Sequence, residues 1–239
     1  MNESIKIALL GAGTVGGGVV RALSMNAEQI MARAGAQIEI KTILVRDAKK
    51  YRSELSGITL TDNFDAIIHD KEISIVVEVM GGIHPAKDYM LRAMAAGKHV
   101  VTANKDVIAE YLTELYAAAN ENGVDFLYEA SVGGGIPIIK PLKECLTANR
   151  ITEVMGVVNG TTNYMLTKMT EKHISYDAVL RRAQERGMQK RIHRLMWTVL
   201  MPHVKRQFWL RLRLIQLLDW RMYRLRGSPI SQKMTLNME

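Results

Sequence analysis

Cysteine and long apolar runs are scarce in this chain of 239 residues. A single cysteine excludes a disulfide framework and a cysteine-based metal site, and it favours a reducing, cytoplasmic setting. No apolar stretch approaches the roughly 18 residues of a membrane-spanning helix. The amino terminus also lacks the basic leader, apolar run and cleavage site of a secretory signal. These absences predict a soluble, untargeted protein.

Tryptophan is absent from residues 1–187, and acidic residues are nearly absent from residues 188–239. The first segment carries 21 Lys and Arg against 22 Asp and Glu, whereas the second carries 11 against 2 and all three tryptophans. The formal net charge of +8 therefore arises entirely in the second segment. Since globular domains rarely change composition so abruptly, two compositions are joined near Gly187.

Apolar, β-branched runs alternate with longer segments of helical period through the first part of the chain. The runs predicted to be strands are residues 5–10, 38–45, 73–80, 99–103 and 124–130. Between them, apolar residues recur three and four apart, and these helical segments end at Gly35, Gly97 and Gly123. The alternation predicts an α/β fold, a Rossmann-type doubly wound parallel sheet over residues 1–130.

A second domain is predicted to begin at residue 131 and to continue to residue 187. The glycine-rich stretch VGGGIP precedes a helical segment at 138–149, a strand at 151–159 and two helical segments between 161 and 187. Residues 188–239 follow neither the strand period nor the helix period for long, so no core face can be drawn for them.

A glycine motif directly follows the first predicted strand and opens the first predicted helix. Its glycines are Gly11, Gly13 and Gly16, in the spacing GxGxxG. In a βαβ unit these positions permit a tight turn, a close approach of the backbone to a pyrophosphate and close packing of helix on strand. The context favours dinucleotide binding over a glycine-rich turn without a ligand.

Basic residues follow the second predicted strand, where NAD enzymes usually place a carboxylate for the ribose hydroxyls. Arg46 occupies that position, with Lys49 and Lys50 close behind. A 2′-phosphate suits this charge, which favours NADP over NAD. Three alternatives stay open because Asp47 is adjacent: use of NAD, use of both cofactors, and an Arg46 that is an ordinary solvated side chain.

Two further strand ends supply candidate site residues, because ligands of open α/β sheets bind at the carboxyl ends of strands. Gly81 and Gly82 follow the third strand of the prediction, and residues 102–105 follow the fourth. Lys105 is thereby expected near the nicotinamide, in contact with cofactor or substrate. The alternative is a lysine in the first turn of a helix with its ammonium group in water.

Six motifs occur together in the order GAGTVGGGV, LVRD, EVMGGIHPA, VTANK, YEASVGGGIPII and VNGTTNYML. Over residues 4–187 the chain therefore resembles homoserine dehydrogenase. The resemblance implies reduction of aspartate 4-semialdehyde to homoserine with NADPH or NADH, on the route to threonine, isoleucine and methionine. It also implies a nucleotide-binding domain, then the start of an α+β substrate and dimerisation domain, in a family whose members are usually dimers.

The resemblance also assigns site residues. It places the cofactor against the glycine loop and several other positions, and Lys105 is assigned as catalytic as well. The cofactor-binding set is Gly11, Gly13, Thr14, Val15, Gly16, Arg46, Lys105 and Gly187. A monovalent cation, sodium or potassium, is expected between the Glu129 side chain and the backbone carbonyls of Val132, Gly134 and Ile136. The alternative is that Gly133–Gly135 only turn the chain between domains.

The resemblance ends at Gly187, where the family continues with a substrate-binding glutamate, an acidic segment and a helix that carries an aspartate and a lysine. Residues 188–239 contain none of these. Codons can be chosen for these residues, within the genetic code, and then read in the frame in which each triplet starts at the last base of the preceding codon. In that frame residues 188–216 can encode YAEADPPADVDGLDAARKAAILASIAFN, and residues 222–239 can encode VSAEGITNISEDDIEYG. Both strings are family-like, so we interpret residues 188–239 as out-of-frame translation after the loss of one nucleotide near the Gly187 codon.

Three hypotheses for the whole chain remain at this stage. It is a homoserine dehydrogenase by descent that is inactive as it stands, a catalytically dead dinucleotide-binding remnant, or a binder of nucleic acid or anionic membranes through its basic tail. The third is disfavoured because frame slippage explains the same charge and no nucleic-acid motif is present. Among enzymes, another Rossmann oxidoreductase is the alternative.

Overall fold

The computed structural model describes residues 4–51, 53, 55–151 and 160–185. These residues divide into two compact units, one up to Leu142 and one from Lys143. The described strands of the first unit are β1 (Ser4–Leu10), β2 (Gln37–Leu44), β3 (Thr59–Thr61), β4 (Ile73–Glu78), β5 (His99–Thr102) and β6 (Phe126–Leu127). Its described helices are α1 (Thr14–Met25), α2 (Ala27–Ala34), α3 (Ala48–Tyr51), α4 (Asp65–Ile68), α5 (Ala86–Ala95) and α6 (Lys105–Glu121).

The six strands form one parallel sheet in the order β3-β2-β1-β4-β5-β6. This is the strand order of the Rossmann fold, and the predicted fold class is confirmed. The five predicted strands are present with small shifts, except that β6 shortens to two residues and the chain then turns through a 3₁₀ helix at Glu129–Ser131. β3 was not predicted, because its three residues are too few to establish an alternating pattern.

The centre of the sheet supplies the core of the first unit. β1 and β4 have neighbours on both edges, so their apolar residues are covered by the sheet and by helices. Ile7 to Leu10 are all buried, and Leu9 packs with Ile43 and Val45 of the β2 side. Full burial of such side chains contributes about 1.5–3 kcal/mol each, so this apolar centre holds the strand ends in fixed positions.

Three helices end as predicted, and two helical segments differ from the prediction. Gly35, Gly97 and Gly123 adopt φ of +74°, +72° and +64° after α2, α5 and α6. The first predicted helix is broken into α1 and α2 at Asn26, whose side-chain amide donates to the carbonyl of Ala22 and competes with the helix backbone. The predicted helix at 138–149 is largely a single π-helical turn at Pro141–Cys145. Pro141 lacks the N–H that a regular turn needs.

The amino edge of the sheet is held by ion pairs and one buried lysine. Lys41 pairs with Asp70 at 2.5 Å and with Glu72 at 2.5 Å. The hydrogen bonds that Glu72 accepts from Lys41 and Lys6 lower the pKa of Glu72 to about 2. Lys98 is buried and donates to the carbonyls of Asp70 and Ile73, both at 2.7 Å. Burial lowers the pKa of Lys98. This edge is structural, since its charges are paired within the sheet.

The described part of the second unit contains α7 (Gly160–Lys172) and α8 (Tyr176–Glu185). Met165 packs with Val179 and Ala183 between them, as an amphipathic helix pair does. The two helical segments predicted between 161 and 187 are thus present, while the predicted strand at 151–159 lies outside the described residues apart from its first residue. Within the described ranges, no helix combines the length and hydropathy that crossing a bilayer requires.

Candidate dinucleotide site

The carboxyl ends of β1 and β4 lie side by side where the strand order reverses. Leu10 pairs with Glu78 at these ends, and the chain leaves β1 toward β2 but leaves β4 toward β5. The two connections diverge, which opens a crevice outside the strand ends, the ligand position of open α/β sheets. The residues predicted to bind the cofactor follow these strands, so this edge is the candidate site.

Two glycines of the loop after β1 are required by close backbone contacts. Gly11 has φ of +105°, and a Cβ there would lie 3.2 Å from the carbonyl oxygen of Val79. At Gly16 a Cβ would lie 2.2 Å from the carbonyl oxygen of Gly11. The first turn of α1 therefore packs directly on the tight turn, as the motif predicts.

Gly13 differs from Gly11 and Gly16, because a Cβ there would lie within 4 Å of no other atom in the described part of the chain. Gly13, Thr14 and Val15 are exposed, and Gly13 caps α1 without a side-chain hydrogen bond. The first N–H groups of α1 thus have no side-chain acceptor, and the helix dipole adds positive potential at the same point. Open space over uncapped amides suits a phosphate group.

Arg46 lies two residues beyond the end of β2, on the adenosine side expected for a dinucleotide. It is exposed, and no described residue forms a hydrogen bond or ion pair with its guanidinium group. Asp47, by contrast, accepts a hydrogen bond from the backbone N–H of Lys49 at 3.0 Å. The carboxylate at this position is engaged in the turn, while the guanidinium group is available to an anion.

A buried polar network joins the ends of β4 and β5. Glu78 is completely buried and accepts hydrogen bonds from the Thr102 hydroxyl at 2.6 Å, the Met80 N–H at 2.8 Å and the Asn104 amide at 3.4 Å. Residues 102–105 were predicted from the sequence to belong to the site, whereas Glu78 was not. The available signal was a lone carboxylate between Val77 and Val79, since an acidic residue inside a buried run needs partners.

Lys105 is the first residue of α6, directly after this network. Asn104 caps the helix by accepting from the Val107 N–H at 3.2 Å. The Lys105 side chain is exposed, and its Nζ lies 3.3 Å from the carboxylate of Asp106. The lysine therefore follows the carboxyl end of β5, with its ammonium group in solvent, and its contact with a cofactor stays a prediction.

The predicted cation residues form a loop that the carboxylate of Glu129 closes. This carboxylate accepts the N–H groups of Ile138 at 2.5 Å, Ile139 at 2.9 Å and Lys140 at 2.7 Å. Burial opposes its ionisation, but the three N–H groups outweigh burial and hold the pKa of Glu129 below its ordinary value. The loop is therefore anchored by a negative charge.

The donor set of this loop fits a hard cation. Three N–H groups occupy three of the roughly four lone-pair positions of a carboxylate, so one position on Oε2 remains. Within the described residues, no hydrogen bond reaches the carbonyl oxygens of Val132, Gly134 or Ile136. No cluster of three or more His, Cys, Asp or Glu side chains that could hold a metal ion occurs in the same part of the chain. Any ion here would therefore rely on these carbonyl oxygens together with the remaining position on Oε2 of Glu129.

One predicted site residue, Gly187, lies outside the described residues, as do all of residues 188–239. The remaining predicted residues fall into two groups. Gly11–Gly16, Arg46 and Lys105 follow the ends of β1, β2 and β5, which lie at one edge of the sheet. Glu129, Val132, Gly134 and Ile136 form the separate loop after β6.

Comparisons with known proteins agree with this geometry. The family model "Homoserine dehydrogenase, NAD binding domain" matches residues 11–129, and the model "Homoserine dehydrogenase" matches residues 137–191. Homoserine dehydrogenase of Bacillus subtilis is 46% identical over 186 residues, and that of Synechocystis is 50% identical over 186 residues. Each alignment covers 77% of this chain, and the chain spans only 43% and 42% of these relatives.

Solved structures give the same result. A homoserine dehydrogenase of Thiobacillus denitrificans matches with a TM-score of 0.73 and 47% identity, over 77% of this chain and 43% of that chain. A hyperthermophilic archaeal homoserine dehydrogenase in complex with NADPH shares the fold, with a TM-score of 0.72 at 23% identity over 88% of this chain and 70% of that chain. The two family models, the curated relatives and the structural neighbours agree. The chain belongs to the homoserine dehydrogenase family.

Proposed function

We propose that this chain derives from an NAD(P)-dependent homoserine dehydrogenase and retains its dinucleotide-binding half. The observation that carries the proposal is the open, uncapped start of α1 at Gly13, next to the tight contact of Gly16 with Gly11. Together they provide amides for a pyrophosphate and the room to reach them. Family membership and a relative solved with NADPH support the same cofactor class.

Different residues are proposed to bind different parts of the dinucleotide. Gly11, Gly13, Thr14, Val15 and Gly16 hold the pyrophosphate, and Arg46 binds the adenosine ribose or its 2′-phosphate. Lys105 stands at the nicotinamide end, where it contacts the cofactor and the reacting group. The free guanidinium of Arg46 favours NADP, and binding of NAD remains compatible with the adjacent Asp47.

The proposed chemistry is interconversion of aspartate 4-semialdehyde and homoserine. A bound nicotinamide dinucleotide supplies hydride transfer. The protein has to bind the amino acid, orient its aldehyde carbon and deliver a proton to the developing alkoxide oxygen. Lys105 contributes at the cofactor end, but the substrate glutamate, aspartate and second lysine that the family resemblance implies are absent after Gly187. The chain is therefore proposed to be inactive or nearly so.

Residues 188–239 are proposed to be out-of-frame translation rather than a native domain. The proposal is supported by the charge of the segment, by its tryptophans and by the family-like strings of the neighbouring frame. The family model of the second part matches only to residue 191. On this interpretation the basic tail has no partner of its own, whether nucleic acid or membrane, and it replaces family sequence of the substrate and dimerisation domain.

Two further features belong to the proposed enzyme. The loop closed by Glu129 would hold sodium or potassium through that carboxylate and the carbonyls of Val132, Gly134 and Ile136. The family's usual dimer surface is proposed to be lost where residues 188–239 replace the family sequence, which leaves apolar faces prone to aggregation.

Gly13→Ala tests the proposed dinucleotide site. The added methyl meets no protein atom, so the melting temperature should change little. It occupies the space proposed for the pyrophosphate, and overpacking by about 1–3 kcal/mol corresponds to an affinity loss of roughly 5- to 150-fold. Titration of NADPH against both proteins measures the change.

The matched control for this experiment is Gly17→Ala, which adds the same methyl to α1 where no atom lies within 4 Å. We expect its NADPH affinity to equal that of the original chain. If the folded original chain binds neither NADPH nor NADH, or if Gly13→Ala binds as tightly as Gly17→Ala, the dinucleotide proposal is wrong.

Arg46→Ala tests the adenosine end. Removing a charged hydrogen-bonding group from a 2′-phosphate loses about 1.5–3 kcal/mol, so NADPH affinity should fall roughly tenfold or more. NADH lacks this phosphate and should lose little. The ratio of the two dissociation constants reports the preference, and Lys71→Ala, an exposed lysine before the amino end of β4, is the control. Equal losses for both cofactors would mean that Arg46 does not read the 2′-phosphate.

A further inference from the structure

Glu78 combines complete burial with a position next to the nicotinamide end of the proposed site. Its carboxylate is not exposed to solvent, and its described partners are the Thr102 hydroxyl, the Met80 N–H and the Asn104 amide. A buried carboxylate without such partners would be strongly destabilising, so this network has to stay assembled for the strand ends to keep their positions.

The network extends from Glu78 to both loops at this edge. The Asn104 amide donates to the carbonyl oxygen of Gly82 at 2.7 Å, which holds the Gly81–Gly82 loop with φ of +76° and +75°. The Thr102 hydroxyl, while it donates to Glu78, accepts the backbone N–H of Asn104 at 3.0 Å. Hydrogen bonds of both its backbone N–H and its side-chain amide therefore fix the orientation of Asn104.

Asn104 also connects the hydrogen-bond network of Glu78 to α6. Its Oδ1 accepts the Val107 N–H at 3.2 Å and so fixes the first turn, in which Lys105 is the first residue. On the other side of Glu78, the Val79 N–H donates to the carbonyl oxygen of Leu10 at 3.0 Å, and the backbone of Met80 lies against Gly11. Among the described residues, the side-chain hydrogen bonds of this network lead to Gly82 and to α6, and none leads to residues 11–16.

We propose that Glu78 is a positioning residue for the nicotinamide end of the dinucleotide, acting through Thr102 and Asn104 on the Gly81–Gly82 loop and on Lys105. The proposal rests on the proposed function, because it requires that a dinucleotide binds at this edge. Glu78 itself touches neither the reacting atoms nor the cofactor. Its role is to hold two chain segments in the arrangement that receives the nicotinamide ring and its ribose.

The experiment compares two ligands on the full chain. NADPH spans both ends of the site, whereas 2′,5′-ADP carries the adenosine half only. Glu78→Gln replaces one carboxylate oxygen by a donor that faces Thr102, and Thr102→Val removes the hydroxyl from the same contact. We expect each variant to bind NADPH about tenfold more weakly and 2′,5′-ADP as the original chain does, since a hydrogen bond to a charged group is lost on one side.

Two controls separate positioning from general stability. Thr102→Ser keeps the hydroxyl and should restore NADPH binding. Lys98→Met removes a buried polar group from the amino ends of the same strands, where it donates to the carbonyls of Asp70 and Ile73. This variant should melt at a lower temperature yet keep the ratio of the two affinities.

The outcomes assign the role of Glu78 without ambiguity. Equal losses for both ligands, or no loss for either, overturn the proposal. If only one of Glu78→Gln and Thr102→Val folds, the affinities of that variant test the proposal. If neither folds while Lys98→Met does, the network is purely structural and the proposal is wrong. If the original chain binds neither ligand, the proposed dinucleotide site itself is wrong, and measurements on the original chain alone show this.

Discussion

Inserting one nucleotide at the Gly187 codon should convert a chain with a small fraction of normal homoserine dehydrogenase activity into an active enzyme. On the proposed function, the insertion should restore the family-like string YAEADPPADVDGLDAARKAAILASIAFN, which would supply the acidic residues for the substrate amine and the lysine for proton delivery. Because a positioned general acid alone contributes about 10²- to 10⁴-fold, turnover should rise at least about 100-fold. Oxidation of NADPH that depends on aspartate 4-semialdehyde measures it, and sequencing the native gene at this codon shows whether the nucleotide is missing.

Two insertions at the same codon serve as controls. Three nucleotides keep the present tail and add one residue, and two nucleotides produce the third reading frame. Neither should raise activity. The proposal fails if the repaired protein binds NADPH and is folded but does not reduce the semialdehyde, or if the present chain is already as active as the repaired one.

The same proteins test the hypothesis of a basic binding arm. If the 11 Lys and Arg of residues 188–239 form a native surface for phosphates, the present chain should bind DNA or anionic vesicles at low salt with a steep salt dependence. The repaired chain should lose this binding. Absence of binding at low salt by the present chain removes the hypothesis.

Gly16→Ala should disrupt the first βαβ unit. The new methyl would lie 2.2 Å from the carbonyl oxygen and 3.0 Å from the carbonyl carbon of Gly11, and neither backbone atom can rotate away. The strain displaces α1 from β1, and we expect the free energy of unfolding to fall by about 3 kcal/mol. That corresponds to roughly 6–12 °C in the melting temperature of a domain of this size, and NADPH binding should be lost as the loop moves.

Gly17→Ala is the matched control, because it makes the same change one residue along in α1, with no atom within 4 Å of the new methyl. Alanine is the better helix former, so stability should be unchanged or higher by up to about 1 kcal/mol. Thermal unfolding of the two variants side by side measures the difference. Similar melting temperatures for both would show that α1 does not pack on Gly11 as described.

The periodic features of the fold were predictable from the sequence. β1 and β4 read as continuous apolar runs because both of their faces are covered. Gly35, Gly97 and Gly123 marked helix ends because the left-handed conformation favours glycine. The features that were missed are short or depend on one side chain: β3 has three residues, and the α1–α2 break depends on a local hydrogen bond of Asn26.

The candidate site was predictable where chemistry is tied to a chain motif. Gly11, Gly13 and Gly16 were identified by their spacing after a strand, and Lys105 by its place at a strand end. Glu78 was not identified, because its partners Thr102 and Asn104 lie 24 and 26 residues away. A pairing of that separation becomes visible only when β4 and β5 lie side by side.

The sequence by itself determined the family, the parallel α/β architecture and the abrupt change at Gly187, because periodicity, motif order and charge are properties of the chain read in one direction. Tertiary structure decided which glycine is required by packing and which leaves room for a ligand, since that depends on the distance from each missing Cβ to atoms of other segments. It also decided that Glu78 is buried and where its hydrogen bonds lead, because burial of a carboxylate depends on strands that meet only in the folded sheet.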